Sequence, residues 1–95
     1  MFILSLNYVK SLNEVDKLIE AHTAYLNKYY SLGKFILSGR KEPRTGGVIL
    51  VDCSSLEELY TIIDEDPFST AGVAEYEVTQ FIPSMSAKHC LSNYV

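Results

Sequence analysis

The chain has no tryptophan and only two cysteines, three prolines and two histidines in its 95 residues. Two cysteines, Cys53 and Cys90, do not make a disulfide framework, so free thiols and a cytoplasmic setting are expected. No Cys-x-x-Cys spacing is present. His89 and Cys90 are adjacent, which is awkward for two ligands of one tetrahedral ion, so no metal site is expected. Apolar runs are short, and none approaches the ~20 residues of a membrane span. The opening Met1 to Leu6 lacks a charged n-region and is followed by Asn7 and Lys10, so it does not read as a signal peptide. Positive charge is also scarce. Eight Lys and Arg stand against twelve Asp and Glu, a net charge of −4. That balance excludes the basic patch that a nucleic-acid partner favours.

What is present describes one small soluble domain. Hydrophobic residues make up 47% of the chain, enough to exclude disorder. The seven tyrosines suit half-buried surfaces, where the ring packs and the hydroxyl stays hydrated.

Period-two alternation from Phe2 to Tyr8 predicts a first strand. Ser11 and Glu14 then form a capping box that opens a helix running to about Leu32, with Gly33 as its stop. Val15, Leu18, Ile19, His22, Tyr25, Leu26 and Tyr29 recur at helical spacing and define its core stripe. Lys34 to Gly39 reads as a second strand. Arg40 to Arg44 reads as a solvated hairpin loop, with anionic-substrate binding as the minor alternative. Gly47 to Cys53 is apolar on both faces and therefore a central third strand. Ser54 and Ser55 offer two registers for a second capping box, before a helix striped by Leu56, Leu59, Tyr60, Ile62 and Ile63. Asp66 at N-cap and Pro67 at N1 start a further short helix that Gly72 ends. Ala74 to Ile82 is the fourth strand. Residues 84–95 form a tail outside a domain spanning 1–83.

The order strand, helix, strand, strand, helix, strand is that of an α+β, ferredoxin-like βαββαβ domain. Its antiparallel four-stranded sheet would carry the helices on one face. Apolar residues remain for the other face, which predicts a homodimer that covers it.

His22 is the residue that invites a chemical reading. A ring on a core stripe is ordinarily neutral and held by one hydrogen bond. Beside a carboxylate in a cleft, it becomes a general acid or base near neutral pH, with the carboxylate choosing its tautomer. Asp66 is the candidate partner, although a plain helix N-cap also explains it. His22 would lie two to three turns into its helix, so contact requires the short helix to dip inward. Ser38 lacks a Ser-His-Asp context for a nucleophile. Gly39 either admits a ligand close to the backbone or marks a bulge. Cys53 reads as a small buried hydrophobe, and Asp64 and Glu65 as solvated charges.

The segments His22-x-x-Tyr25-Leu26, Gly33 to Gly39, Gly46-Gly47-Val48-Ile49-Leu50, Asp64-Glu65-Asp66-Pro67-Phe68, Ala71 to Val78 and Phe81 together resemble the YciI-like (YCII-related) family. The resemblance covers about residues 1–83. It implies a dimeric α+β barrel, with His22 and Asp66 as the active-site pair. It also implies proton chemistry of the isomerase, lyase or dehydrochlorinase type. Many members carry a basic residue directly after the histidine, whereas this chain has Thr23. The expected protein is thus a cytoplasmic homodimer acting on a small cyclic or carbonyl substrate without an organic cofactor. In it His22 is the acid or base, Asp66 orients it, and Ser38, Gly39 and Phe68 line the pocket. The alternative is a non-catalytic ligand-binding or interaction module in which the His–Asp pair is structural.

Overall fold

The computed structural model describes residues 1–87. Its elements are β1 (Phe2–Tyr8), α1 (Leu12–Asp16), α2 (Ile19–Ser31), β2 (Phe35–Arg40), β3 (Gly46–Val51), α3 (Leu56–Asp64), α4 (Pro67–Thr70) and β4 (Ala74–Gln80). The strands form one antiparallel sheet in the order β2-β3-β1-β4. This is the ferredoxin-like α+β arrangement that the element order predicts. Residues 88–95, with His89 and Cys90 and most of the expected tail, lie outside the described residues.

Alternation along the strands builds the core. Phe2, Leu4 and Leu6 of β1 are buried with Ile49 and Val51 of β3, against Val15, Tyr25 and Tyr29 below one set of helices and Leu59, Ile62 and Ile63 of α3. Leu56 and Tyr60, expected on the α3 stripe, are exposed instead. No described element covers the opposite sheet face. There Leu37 pairs with Leu50 and Leu50 with Ile3, and Leu37 keeps 65% of its surface exposed.

Local chemistry sets the boundaries. Ser11 Oγ accepts the Glu14 N–H and Ser55 Oγ accepts the Glu58 N–H, so both capped helices start where their serines allow. Gly33, at φ +74°, ends α2; the Lys34 N–H reaches back to the Tyr29 carbonyl at 2.9 Å. Gly46 is required by packing, because a Cβ there would lie 1.7 Å from the Leu6 carbonyl oxygen on β1.

Two departures from the sequence reading matter for the site. The first long helix is interrupted. The Leu18 N–H bonds the Val15 carbonyl at 2.9 Å, a tight 3₁₀-type turn, and α2 starts afresh at Ile19. His22 therefore sits in the first turn of α2, not deep within a continuous helix. The second departure is a bulge in β2: Phe35 pairs with Val51 but Leu37 with Leu50. The extra residue reverses the alternation, so Ser38 and Arg40 take the helix-covered side, opposite Ile49 and Gly47.

Candidate functional site

α2 presents His22 toward the α3–α4 junction, and Asp66 comes to meet it. His22 Nδ1 lies 2.8 Å from Asp66 Oδ1. Asp66 caps α4, and the same Oδ1 accepts the Phe68 N–H at 3.0 Å. Its Oδ2 accepts the Tyr76 hydroxyl of β4 at 2.6 Å. Asp66 is the one buried charged residue among the described residues, with no exposed surface. A buried carboxylate is costly unless its lone pairs are met, and here three donors meet them.

This geometry selects the histidine tautomer. An ionised carboxylate only accepts, so Nδ1 carries the proton and the neutral ring keeps its lone pair on Nε2. The ring also lies flat on Phe68, with centroids 3.9 Å apart and planes 7° from parallel. Burial, then the negative charge of Asp66 and the hydrogen bond to it, push the Tyr76 phenol far above its ordinary range. Tyr76 thus remains a donor to Asp66 at any physiological pH.

A second polar set braces the same junction. Tyr25 donates to the Ile62 carbonyl at 2.8 Å, and burial, then the Asp66 charge, raise its phenol. Glu65 accepts from Lys28 and Tyr29, and these bonds, Lys28 foremost, hold its carboxyl below the usual range. The Tyr29 phenol is pushed up to about 12 by burial and by its bond to Glu65. Glu65 is therefore tied to α2 rather than simply solvated.

A cavity of about 410 Å³ opens between α2 and the sheet, within the range of small-molecule sites. His22 and Phe68 line it, as do Leu6, Ile49, Ser38 and Gly39. Ser38 Oγ pairs with the Tyr30 hydroxyl at 2.6 Å, not with His22. A Cβ on Gly39 would meet nothing within 4 Å, so packing does not demand glycine there. Cys53 is buried outside this lining, and burial raises its thiol. No group of three or more His, Cys, Asp or Glu side chains is placed to hold a metal among the described residues. No described helix is long and apolar enough to cross a membrane.

The structure brings His22, Asp66 and Phe68 into contact and sets Ser38 and Gly39 on the same cavity. Sequence reasoning missed Tyr76 there and gave Arg40 and Arg44 anion binding only as the minor alternative. Tyr76 was visible only as a member of the fourth strand. Arg40 and Arg44, read as part of a solvated loop, also line the cavity. The bulge that puts Arg40 on the helix-covered side of the sheet leaves no mark in the local pattern.

No curated protein matches the chain. Among solved structures, 5-chloro-2-hydroxyhydroquinone dehydrochlorinase from Burkholderia phenoliruptrix, in complex with 2,5-dihydroxybenzoquinone, has a similar fold. It superposes with a TM-score of 0.73 at 22% identity, over 95% of this chain and 99% of that one. The YCII-related domain matches residues 1–82, nearly all of the described chain, and the chain belongs to that family.

Proposed function

We propose that this protein is a cofactor-independent enzyme that moves a proton on a small cyclic or carbonyl-containing molecule. The observation that carries the proposal is the Asp66–His22 pair at the wall of an otherwise mostly apolar cavity. Nε2 of His22 is the base. It removes a proton from the carbon next to a carbonyl, and the electron pair passes into an enolate. In an isomerisation the imidazolium returns that proton at another carbon; in an elimination the pair expels a leaving group such as chloride. Asp66 holds the tautomer and balances the imidazolium charge. Phe68 backs the ring, and Ser38 and Gly39 border the substrate. The dehydrochlorinase of similar fold makes hydroxylated, halogenated rings the first compounds to assay.

We also propose that the chain works as a homodimer, joined through the uncovered sheet face that carries Leu37, Leu50 and Ile3.

A structural role for the pair has one observation in its favour: Asp66 is wholly buried and ties α2, α4 and β4 together. Nitrogen NMR of the histidine ring and turnover assays separate the two readings. In the wild type His22 should show the Nδ1–H tautomer. Asp66→Asn, whose amide can donate to Nδ1, should shift it toward Nε2–H. His22→Ala should lower kcat by about 10²–10⁴-fold with little loss of stability, since the Phe68 N–H still bonds the same Asp66 oxygen and Tyr76 the other. Unchanged turnover together with a stability loss of about 3–5 kcal/mol would establish the structural role instead.

A further inference from the structure

The cavity holds a charged group that the acid–base pair does not use. Arg40 ends β2 and lines the cavity with an exposed side chain, and no hydrogen bond or ion pair holds its guanidinium among the described residues. Its neighbour Arg44 is already matched: its guanidinium bonds Asp16, another cavity residue. The charged lining therefore consists of two arginines and one aspartate, one positive charge in excess, within a chain of net charge −4. That excess belongs to Arg40.

Strand register places this charge relative to the histidine. Arg40 pairs with Gly47, Gly47 with Leu6, and Leu6 with Tyr76. The four residues form one row across the helix-covered side of the sheet. Tyr76 at one edge holds Asp66, which holds His22; Arg40 stands at the other edge, three strand spacings or roughly 14 Å away along the backbone. Gly47 adds no side chain to the row next to Arg40, and the buried Leu6 side chain stands between Gly47 and Tyr76. A molecule with its reacting carbon near Nε2 would reach toward Arg40 over Leu6 and Gly47, both of which line the cavity.

We propose that the Arg40 end of the cavity is a carboxylate subsite, and that the substrate is a small carbonyl compound bearing a carboxylate. The carbonyl half of that statement rests on the acid–base reading of His22; the carboxylate half rests on Arg40 alone. A planar guanidinium matches a carboxylate through two parallel hydrogen bonds. One excess positive charge suits a monoanion better than a phosphate dianion.

Calorimetric titration with benzoate, benzamide and inorganic phosphate tests this on the wild type, Arg40→Gln and His22→Ala. Wild type should bind benzoate about tenfold or more tighter than benzamide, the yield of one charge-assisted contact, and tighter than phosphate. Raising the ionic strength should erase that preference. Arg40→Gln should lose it and His22→Ala should keep it. Equal binding of benzoate and benzamide, no benzoate binding, tighter phosphate binding, or a preference that survives Arg40→Gln overturns the subsite. Should Arg40→Gln not fold, the wild-type ligand ranking and its salt dependence decide. A preserved benzoate preference with no effect of His22→Ala on turnover would reject the acid–base reading and leave the subsite standing.

Discussion

Asp66 is a carboxylate without exposed surface that meets a histidine, a backbone amide and a phenol at once. Each contact has a separate consequence. The amide makes Asp66 a helix cap, the histidine makes it part of a site, and the phenol of Tyr76 satisfies the oxygen that the other two leave over. Removing Tyr76's hydroxyl isolates the third contact. Tyr76→Phe should cost about 1–3 kcal/mol, the price of a buried acceptor without its donor. Urea unfolding should show a lower midpoint with an unchanged slope. A midpoint equal to that of the wild type would mean that water replaces the phenol at Oδ2.

At the scale of elements, α3 is anchored by Glu58 at its first turn. The Glu58 carboxylate accepts the Ser54 N–H and O–H and pairs with Lys34. The Lys34 bond foremost, then those from Ser54, lower its carboxyl from 4.5 to about 2. A carboxyl depressed in the fold adds stability above its unfolded value and loses it as the pH falls through its folded one. The wild type should therefore melt above Glu58→Gln at pH 6, and the gap should close between about pH 4.5 and pH 2. A gap independent of pH would assign the difference to helix propensity instead. Such caps were legible in the sequence because they depend on residues three or four apart. So were the strands, the stop at Gly33 and the pairing of Asp66 with Pro67. The 3₁₀ turn at Leu18 and the bulge at Ile36 were not legible. Neither contains glycine or proline, so neither carries a local signal for a break in the period. Both bear on the site: one moves His22 to the start of a helix, and the other puts Ser38 and Arg40 on the helix-covered side of the sheet.

For the whole molecule, the sheet has one face under helices and one in the open. Leu37, Leu50 and Ile3 line up across the open face, flanked on β4 by Glu77 and Thr79. An apolar row on a strand face is a common interface core when a second copy covers it. Leu37→Asp places a charge in that row and should convert the proposed dimer into a folded monomer, read by sedimentation velocity at micromolar concentration. A wild type that sediments as a monomer would remove the proposed homodimer and leave the acid–base reading untouched. The sequence carried the fold through the order of its elements, while Asp66 stood only as a candidate partner for His22 that a plain helix N-cap also explained. It gave the arginines of the cavity only a minor anion-binding alternative, because the side Arg40 takes depends on a bulge in β2 against its neighbour β3.

The stacking of His22 on Phe68 has a thermodynamic side. Phe68 holds the flat of the imidazole while Asp66, two residues earlier, holds its edge. A ring gripped by both edge and face has lost most of its rotational entropy before any ligand arrives. Folding bears that loss once, through a short stretch of chain, and no comparable ordering of the ring is left for the encounter with a substrate.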